Sequence, residues 1–442
     1  MIPSHEDLVA ELADFVAIPS VSADPGHQDD VRRAAEWVRD RVLAAGGRAE
    51  LVPAGGRPLM IGEIGASRGA DSAPTILCYG HFDVQPPDPL ELWESEPFTL
   101  TERDGWLFAR GIADDKGQLY MLLKAAEVLA AEGELPVNLR FACDGEEEIG
   151  GHSIVDWLAT DTGEVDAAVV FDGGMVERDL PAFNIAVRGL VYFHVKVRTG
   201  ERDLHSGVYG GASLNAMHAL LQTLSGVLPR NGRLPEPLRA GAVPPEDDEL
   251  AGWAELPPGA RELETAGSRP ADPDAAAEFY LRTWGEPSVD VHGIQGGSPI
   301  LQKTVIAVEA EANVSIRLVG NQDPAAIGAT FERLLRDAAP AGATVAVERW
   351  SSAPPGLIPA DHPVLKKGQD AFEHVLGVRP LLIRTGGAIP LVSALAARGV
   401  PTILSGFALN DSNIHSPNER LPAAYLRTGI ETVCELFRRL AT

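Results

Sequence analysis

The sequence predicts an α/β fold: a mixed, mostly parallel sheet with helices on both faces, carrying an inserted α+β sandwich. Three observations predict it. The apolar runs PTILCY (74–79), PVNLRFAC (136–143) and DAAVVF (166–171) are short and read as strands buried on both faces. A helical stretch at 118–131 lies between the first two, and alternation of strands with helices produces parallel pairs. Near residue 185 the pattern changes, because LVYFHVKVR (190–198) alternates like a strand with one wet face.

The elements follow in order. Ser4 with Asp7 marks a helix start, with Leu8, Leu12 and Phe15 along one face. A second helix over 29–45 stops at Gly46-Gly47. The three buried strands and the 118–131 helix come next, with a short strand WLFA at 106–109 before that helix. In the insert, helices at 213–228 and 324–338 alternate with strands at 190–198, 305–319 and 343–350. Residues 229–275, rich in Pro and acids, read as loops. From residue 361 the α/β character returns with a helix, LLIR, a helix, PTILSG and a last helix. Two domains suit 442 residues, which exceed what one core supports. Residues 1–186 and 351–442 form one domain, and 187–350 the insert.

Composition narrows the function. Lys and Arg number 37 against 63 Asp and Glu, a net charge of −26. Such a field repels phosphate backbones and anionic lipid, so nucleic acid and membrane are poor partners. No stretch approaches the roughly 20 apolar residues of a membrane span. The start MIPSHEDLVAELADFV is acidic where a secretory signal is basic, and Cys78, Cys143 and Cys434 form no disulfide framework. The expected location is the cytoplasm.

The chemistry collects at strand ends. TILCYG runs into His81-Phe82-Asp83, NLRFAC into Asp144 and the triplet Glu146-Glu147-Glu148, AAVVF into Asp172, and PTILSG leads on to His415. Asp114-Asp115 sits just before the 118–131 helix. Open α/β sheets bind ligands beyond the carboxyl ends of their strands, so these groups can converge. Each cluster alone has a plainer reading: a loop histidine, a helix cap, a solvated acidic face, a turn. Together they crowd like charges unless cations are present. A mixed set of imidazoles and carboxylates suits Zn²⁺, Mn²⁺ or Co²⁺ rather than Ca²⁺. Two such ions about 3.5–4 Å apart can share a carboxylate and a water. Motifs for other chemistries, GxSxG, HExxH, GxxxxGK[ST] and GxGxxG, are missing.

The motifs Gly80-His81-Phe82-Asp83, Arg110-Gly111-Ile112-Ala113-Asp114-Asp115-Lys116-Gly117, Asp144-Gly145-Glu146-Glu147-Glu148-Ile149-Gly150, Asp172, Leu204-His205-Ser206-Gly207 and His415-Ser416-Pro417-Asn418-Glu419 occur in this order. In them the chain resembles the di-zinc metallopeptidases that include aminoacylases, glutamate carboxypeptidases and cytosolic dipeptidases, and it is most similar to the dipeptidase branch. The resemblance implies a zinc-exopeptidase-like catalytic domain, with the insert as a lid and dimerisation domain. It implies that Asp114 bridges two metal ions, that His81 and Asp172 complete one site and Glu148 and His415 the other, and that Asp83 supports His81. The Asp114–Asp115 peptide is expected to be cis. Glu147 is the implied general base, although the triplet leaves Glu146 as a second register. His205 is implied as an oxyanion donor that reaches a partner subunit of a homodimer; capping of its own loop is the other reading. Arg317 and His362 are implied to grip a substrate carboxylate, with Arg317 as a plain strand residue the alternative. Where the dipeptidases read Glu-Gly-Gly-Ser-Ile-Pro, this chain has Thr385-Gly386-Gly387-Ala388-Ile389-Pro390. It lacks that Ser hydroxyl, and Gly387 is left to offer a backbone N–H.

The resulting expectation is a metal-dependent hydrolase of dipeptides or short peptides, with Zn²⁺ ahead of Mn²⁺ and Co²⁺. The alternatives are a deacylase or carboxypeptidase of N-acyl amino acids and, in another class, a non-catalytic metal or peptide binder.

Overall fold

The computed structural model describes residues 1–54, 57–385 and 390–442. The chain forms two compact units. The first comprises Met1–Ile185, Ile358–Ile383 and Ala394–Thr442; the second comprises Ala186–Leu357 and Arg384–Ser393.

The first unit is built on a six-stranded sheet. Its order is Arg48–Ala54, Arg57–Ile64, Asn138–Asp144, Thr75–His81, Ala167–Phe171 and Thr402–Ser405. The last four strands run parallel to one another, while the first two form an antiparallel hairpin at one edge. The hairpin strands were not foreseen, because RAELVPA and RPLMIGEI carry Pro, Gly and charges and lack a clean apolar run. Strand Ala167–Phe171 is buried along its whole length, and Thr75–His81 everywhere but at Thr75. Burial on both faces is why these runs are continuously apolar.

The helices behave as their patterns require. Ser4 caps helix His5–Val16 by accepting from the Asp7 N–H, and Leu8, Leu12, Phe15 and Val16 are buried. Helix Gln28–Ala44 ends where Gly46 takes φ +81°, the left-handed conformation a side chain resists. Phe15 stacks on Trp37 at 4.2 Å between ring centres. Burying the Phe15 side chain completely contributes roughly 1.5–3 kcal/mol. Helix Lys116–Ala131 is buried nearly all round, as an apolar helix inside a core must be. Its first residue, Lys116, donates to the carbonyls of Phe15 and Ile18 and so ties the end of the first helix to the start of this one.

The second unit holds a four-stranded antiparallel sheet in the order Ser288–Gln295, Glu309–Leu318, Gly189–Arg198 and Thr344–Ala353. Val191, Phe193, Val195 and Val197 alternate into a core with helices Ala216–Leu224 and Pro324–Ala338. The residues between them carry Tyr192 and His194, whose rings stack with those of His292 and Trp350. This is the expected α+β sandwich. The stretch read as loops differs: it contains short helices at Glu236–Arg239, Asp247–Trp253 and Gly259–Thr265. Glu246 and Glu249 form a capping box for the middle one, and Trp253, its last residue, is buried. Prolines at these helix starts were read as loop signals, although Pro is tolerated in a first helical turn. Among the described residues, no helix is long and apolar enough to cross a membrane.

Candidate metal centre and active site

Strand ends place the first group. His81 ends strand Thr75–His81, opposite Asp144 in the parallel ladder, and is fully buried. Its Nδ1 donates to the backbone carbonyl of Asp83 at 3.1 Å, which turns Nε2 toward the acidic cluster. Nε2 faces Asp114 Oδ1 at 2.9 Å and Asp172 Oδ1 at 3.9 Å. Asp172 follows strand Ala167–Phe171. The Asp83 carboxylate was expected to support His81. Its Oδ1 sits 3.4 Å from Nδ1, but its hydrogen bond runs from the Glu148 N–H to Oδ2, so it orients Glu148 as well.

Asp114 joins the two halves. Its Oδ2 is 3.0 Å from His415 Nε2, which is also 3.0 Å from Glu148 Oε2. The Asp114–Asp115 peptide is cis. Asp115 turns away and accepts from the His81 N–H. Gln85 donates to Glu148 Oε2 and to its backbone carbonyl. His415 lies in a loop where Asn413, His415 and Asn418 all take φ between 54° and 60°, a conformation non-glycine residues rarely adopt and one that tight polar loops impose. Two sets of donor atoms result, His81 with Asp114 and Asp172, and Asp114 with Glu148 and His415, each within 4.8 Å. Glu147 belongs to neither and opens the 3-10 turn Glu147–Ile149, one residue before the donor Glu148.

The electrostatics of this cluster are those of a site short of positive charge. Burial alone would push the His81 imidazole down, yet Asp114 and Asp83 drive it well up. Burial and the carboxylates of Asp114, Glu147 and Glu148 push Asp172 well up, against the pull of His81. Burial, Glu148 and Asp114 raise Glu147, again opposed by His81. Asp114 and Glu148 lift His415 to about 10. Protons thus take up charge that several carboxylates in one place cannot hold alone. Glu148 Oε1 is buried and has no hydrogen-bond partner among the described residues. An orphaned carboxylate oxygen, two imidazoles and a shared aspartate fit divalent cations.

The other expected residues lie elsewhere. His205 is exposed in the second unit and caps the turn Ser206–Tyr209, its Nδ1 accepting from the Gly207 N–H at 3.0 Å. Arg317 is half-buried in strand Glu309–Leu318, opposite Ser288 and Leu190. His362, in the first unit, caps helix Pro363–Leu376, accepting from the Val364 N–H. Gly387 lies outside the described residues. Sequence reasoning assigned no role to Glu419 or Asp115, although both stand inside quoted motifs; an acid fixed in a turn next to a ligand-bearing loop was the available signal.

The family model described as peptidase family M20/M25/M40 matches residues 77–439, most of the chain. A Cys-Gly metallodipeptidase of Schizosaccharomyces pombe is 29% identical over 465 residues, covering 99% of this chain and 96% of the relative. A cysteinylglycine-S-conjugate dipeptidase of Corynebacterium striatum is 30% identical over 438 residues, covering 95% and 92%. The crystal structure of human carnosine dipeptidase 1 superposes with a TM-score of 0.74 at 26% identity, over 99% of this chain and 96% of that one. The chain belongs to peptidase family M20/M25/M40.

Proposed function

We propose that this protein is a metal-dependent dipeptidase that hydrolyses the peptide bond of free dipeptides, with Glu147 as general base. The observation that carries the reading is the pair of donor sets sharing Asp114, with Glu147 beside Glu148 and outside both. The relatives named above support a dipeptide as substrate. His81, Asp114 and Asp172 would hold one cation and Asp114, Glu148 and His415 the other, Zn²⁺ first and Mn²⁺ or Co²⁺ as alternatives. Bound there, two divalent ions polarise a carbonyl and lower the pKa of a water.

The chain's own groups supply the rest. The Glu147 carboxylate accepts a proton from the attacking water and returns it to the leaving nitrogen. Asp83 orients Glu148 and the imidazole of His81. His205 and His362 share one feature relevant to substrate contact. Each accepts a backbone N–H on Nδ1, which leaves Nε2–H as an outward donor in the neutral ring. In His205 that donor suits a developing oxyanion, and in His362 a carboxylate. Arg317 and the Gly387 backbone complete the proposed carboxylate grip.

We also infer a homodimer, with His205 delivered to the partner's site. Val208 and Tyr209, 69% and 46% exposed, stand beside His205, and Ile300 and Leu301, 90% and 61% exposed, precede the strand Val305–Ile306 that pairs with Leu204–His205. Exposed apolar side chains on the segments that flank one polar donor are what a second copy would cover. The three buried free thiols suit a cytoplasmic home.

The test is metal-stripped protein reloaded with Zn²⁺, Mn²⁺ or Co²⁺ and offered a dipeptide panel with each member also N-acetylated. Turnover confined to free-amine dipeptides supports the proposal. Preference for the acetylated forms makes the protein a deacylase or carboxypeptidase, and metal binding without turnover makes it a binder.

A further inference from the structure

Glu419 is fully buried, and its carboxylate accepts four hydrogen bonds. Oε2 takes the Gly111 N–H at 2.9 Å and Arg110 Nη1 at 2.6 Å; Oε1 takes the Ala113 N–H at 2.8 Å and the Asp114 N–H at 3.1 Å. Four residues earlier in the same loop is His415. One side chain therefore fastens the loop that carries His415 to the backbone that presents Asp114, immediately before its cis peptide.

We propose that Glu419 is a positioning residue that sets the distance between Asp114 and His415 and thereby the affinity of the cation site they share with Glu148. The inference rests on the two-cation reading above and goes beyond it. The alternative partners for those donors are few: Gly111, Ala113 and Asp114 would otherwise leave buried N–H groups unpaired, a costly state. Both carboxylate oxygens are used as acceptors, so Glu419→Gln is not conservative. In either orientation of the amide its NH₂ meets N–H donors instead of an acceptor. The mismatch must move the 110–114 backbone, and with it the carboxylate that both donor sets share.

The experiment titrates metal-free wild type and Glu419→Gln with Zn²⁺ against a competing chelator, at a temperature where both are folded. Wild type is expected to bind two ions per chain. The variant is expected to bind one of them about 10- to 100-fold more weakly, the usual effect of removing a group that orients a ligand. Its kcat at limiting metal should fall and recover as free Zn²⁺ is raised, with KM unchanged, a pattern that simple destabilisation does not produce. Equal affinities for both ions in the two proteins would overturn the role of Glu419. Fewer than two ions on wild type would instead overturn the cation reading beneath it. Should the variant not fold, hydrogen exchange on metal-free wild type decides. The Gly111, Ala113 and Asp114 amides are expected to be protected, and exchange at the rate of exposed turns would remove the latch.

Discussion

Glu147→Gln removes one negative charge while keeping the side chain's size, which separates proton transfer from metal binding. Neither donor set contains Glu147, so the count of bound ions should stay at two. The charge change acts in the same direction. Burial raises Asp172, and the carboxylates around it, Glu147 among them, raise it further. Removing one of them makes Asp172 easier to ionise, and an ionised Asp172 is the better ligand. The loss therefore falls on the chemical step. A positioned general base contributes about 10²- to 10⁴-fold, or about 2.7–5.4 kcal/mol at 1.36 kcal/mol per decade. The assay is kcat for a free dipeptide at saturating metal, alongside the metal content of the same sample. Glu148→Gln serves as the contrast, since Glu148 Oε2 faces His415 within a donor set and its loss should remove one ion. If Glu147→Gln also drops to one ion, Glu147 is a ligand and the proposed division of labour is wrong. If kcat falls less than about tenfold, the base lies elsewhere, with Glu146 the next residue to test.

Three further outcomes follow from named contacts. In the second unit, Glu249 forks Arg384 at 2.6 and 2.8 Å with both side chains almost fully buried, so Glu249→Ala strands a guanidinium and should cost about 3–5 kcal/mol in urea unfolding. Burial opposes ionisation of Asp161, but the Arg140 fork outweighs it and holds the carboxyl below the ordinary aspartate value. That stabilisation is present above the unfolded pKa of about 3.9 and is lost as pH falls through the lower folded value, so Asp161→Asn should flatten the decline in urea midpoint below about pH 5 and leave its slope above that pH unchanged. Val208→Asp places a charge on the exposed apolar stretch beside His205 and should yield monomers by sedimentation with kcat reduced in parallel; dimers with full activity would refute the proposed partner contact.

The candidate site was legible because its signals are local. PTILCY, NLRFAC and AAVVF are buried strands with a polar group at each carboxyl end, and a parallel sheet forces those ends into one place. The sequence could be read from 81 to 415 without knowing any long-range contact. What stayed illegible depended on partners far away in the chain. The edge hairpin Arg48–Ala54 with Arg57–Ile64 is specified by pairing with Asn138–Asp144 more than by its own pattern. The helix Asp247–Trp253 looked like a Pro-rich loop because its stabilising partner, Arg384, stands 135 residues away.

Asp83 and Glu419 show the same division inside the site. As sequence, Asp83 reads as support for the histidine two residues before it. In the fold, the His81 ring donates to Asp83's backbone carbonyl and lies 3.4 Å from its carboxylate, which also accepts the N–H of Glu148, 65 residues on. Glu419 reads as the tail of a histidine motif, yet it accepts from backbone groups more than 300 residues earlier. Ligand-type side chains announce themselves by chemistry, since a histidine and several acids at strand ends have few other uses. The groups that aim them are ordinary carboxylates, and only the donors they meet in three dimensions distinguish them from surface acids. Engineering of this site should therefore begin with Asp83 and Glu419, because the geometry of His81, Asp114, Glu148 and the His415 loop passes through one or the other or through Asp115.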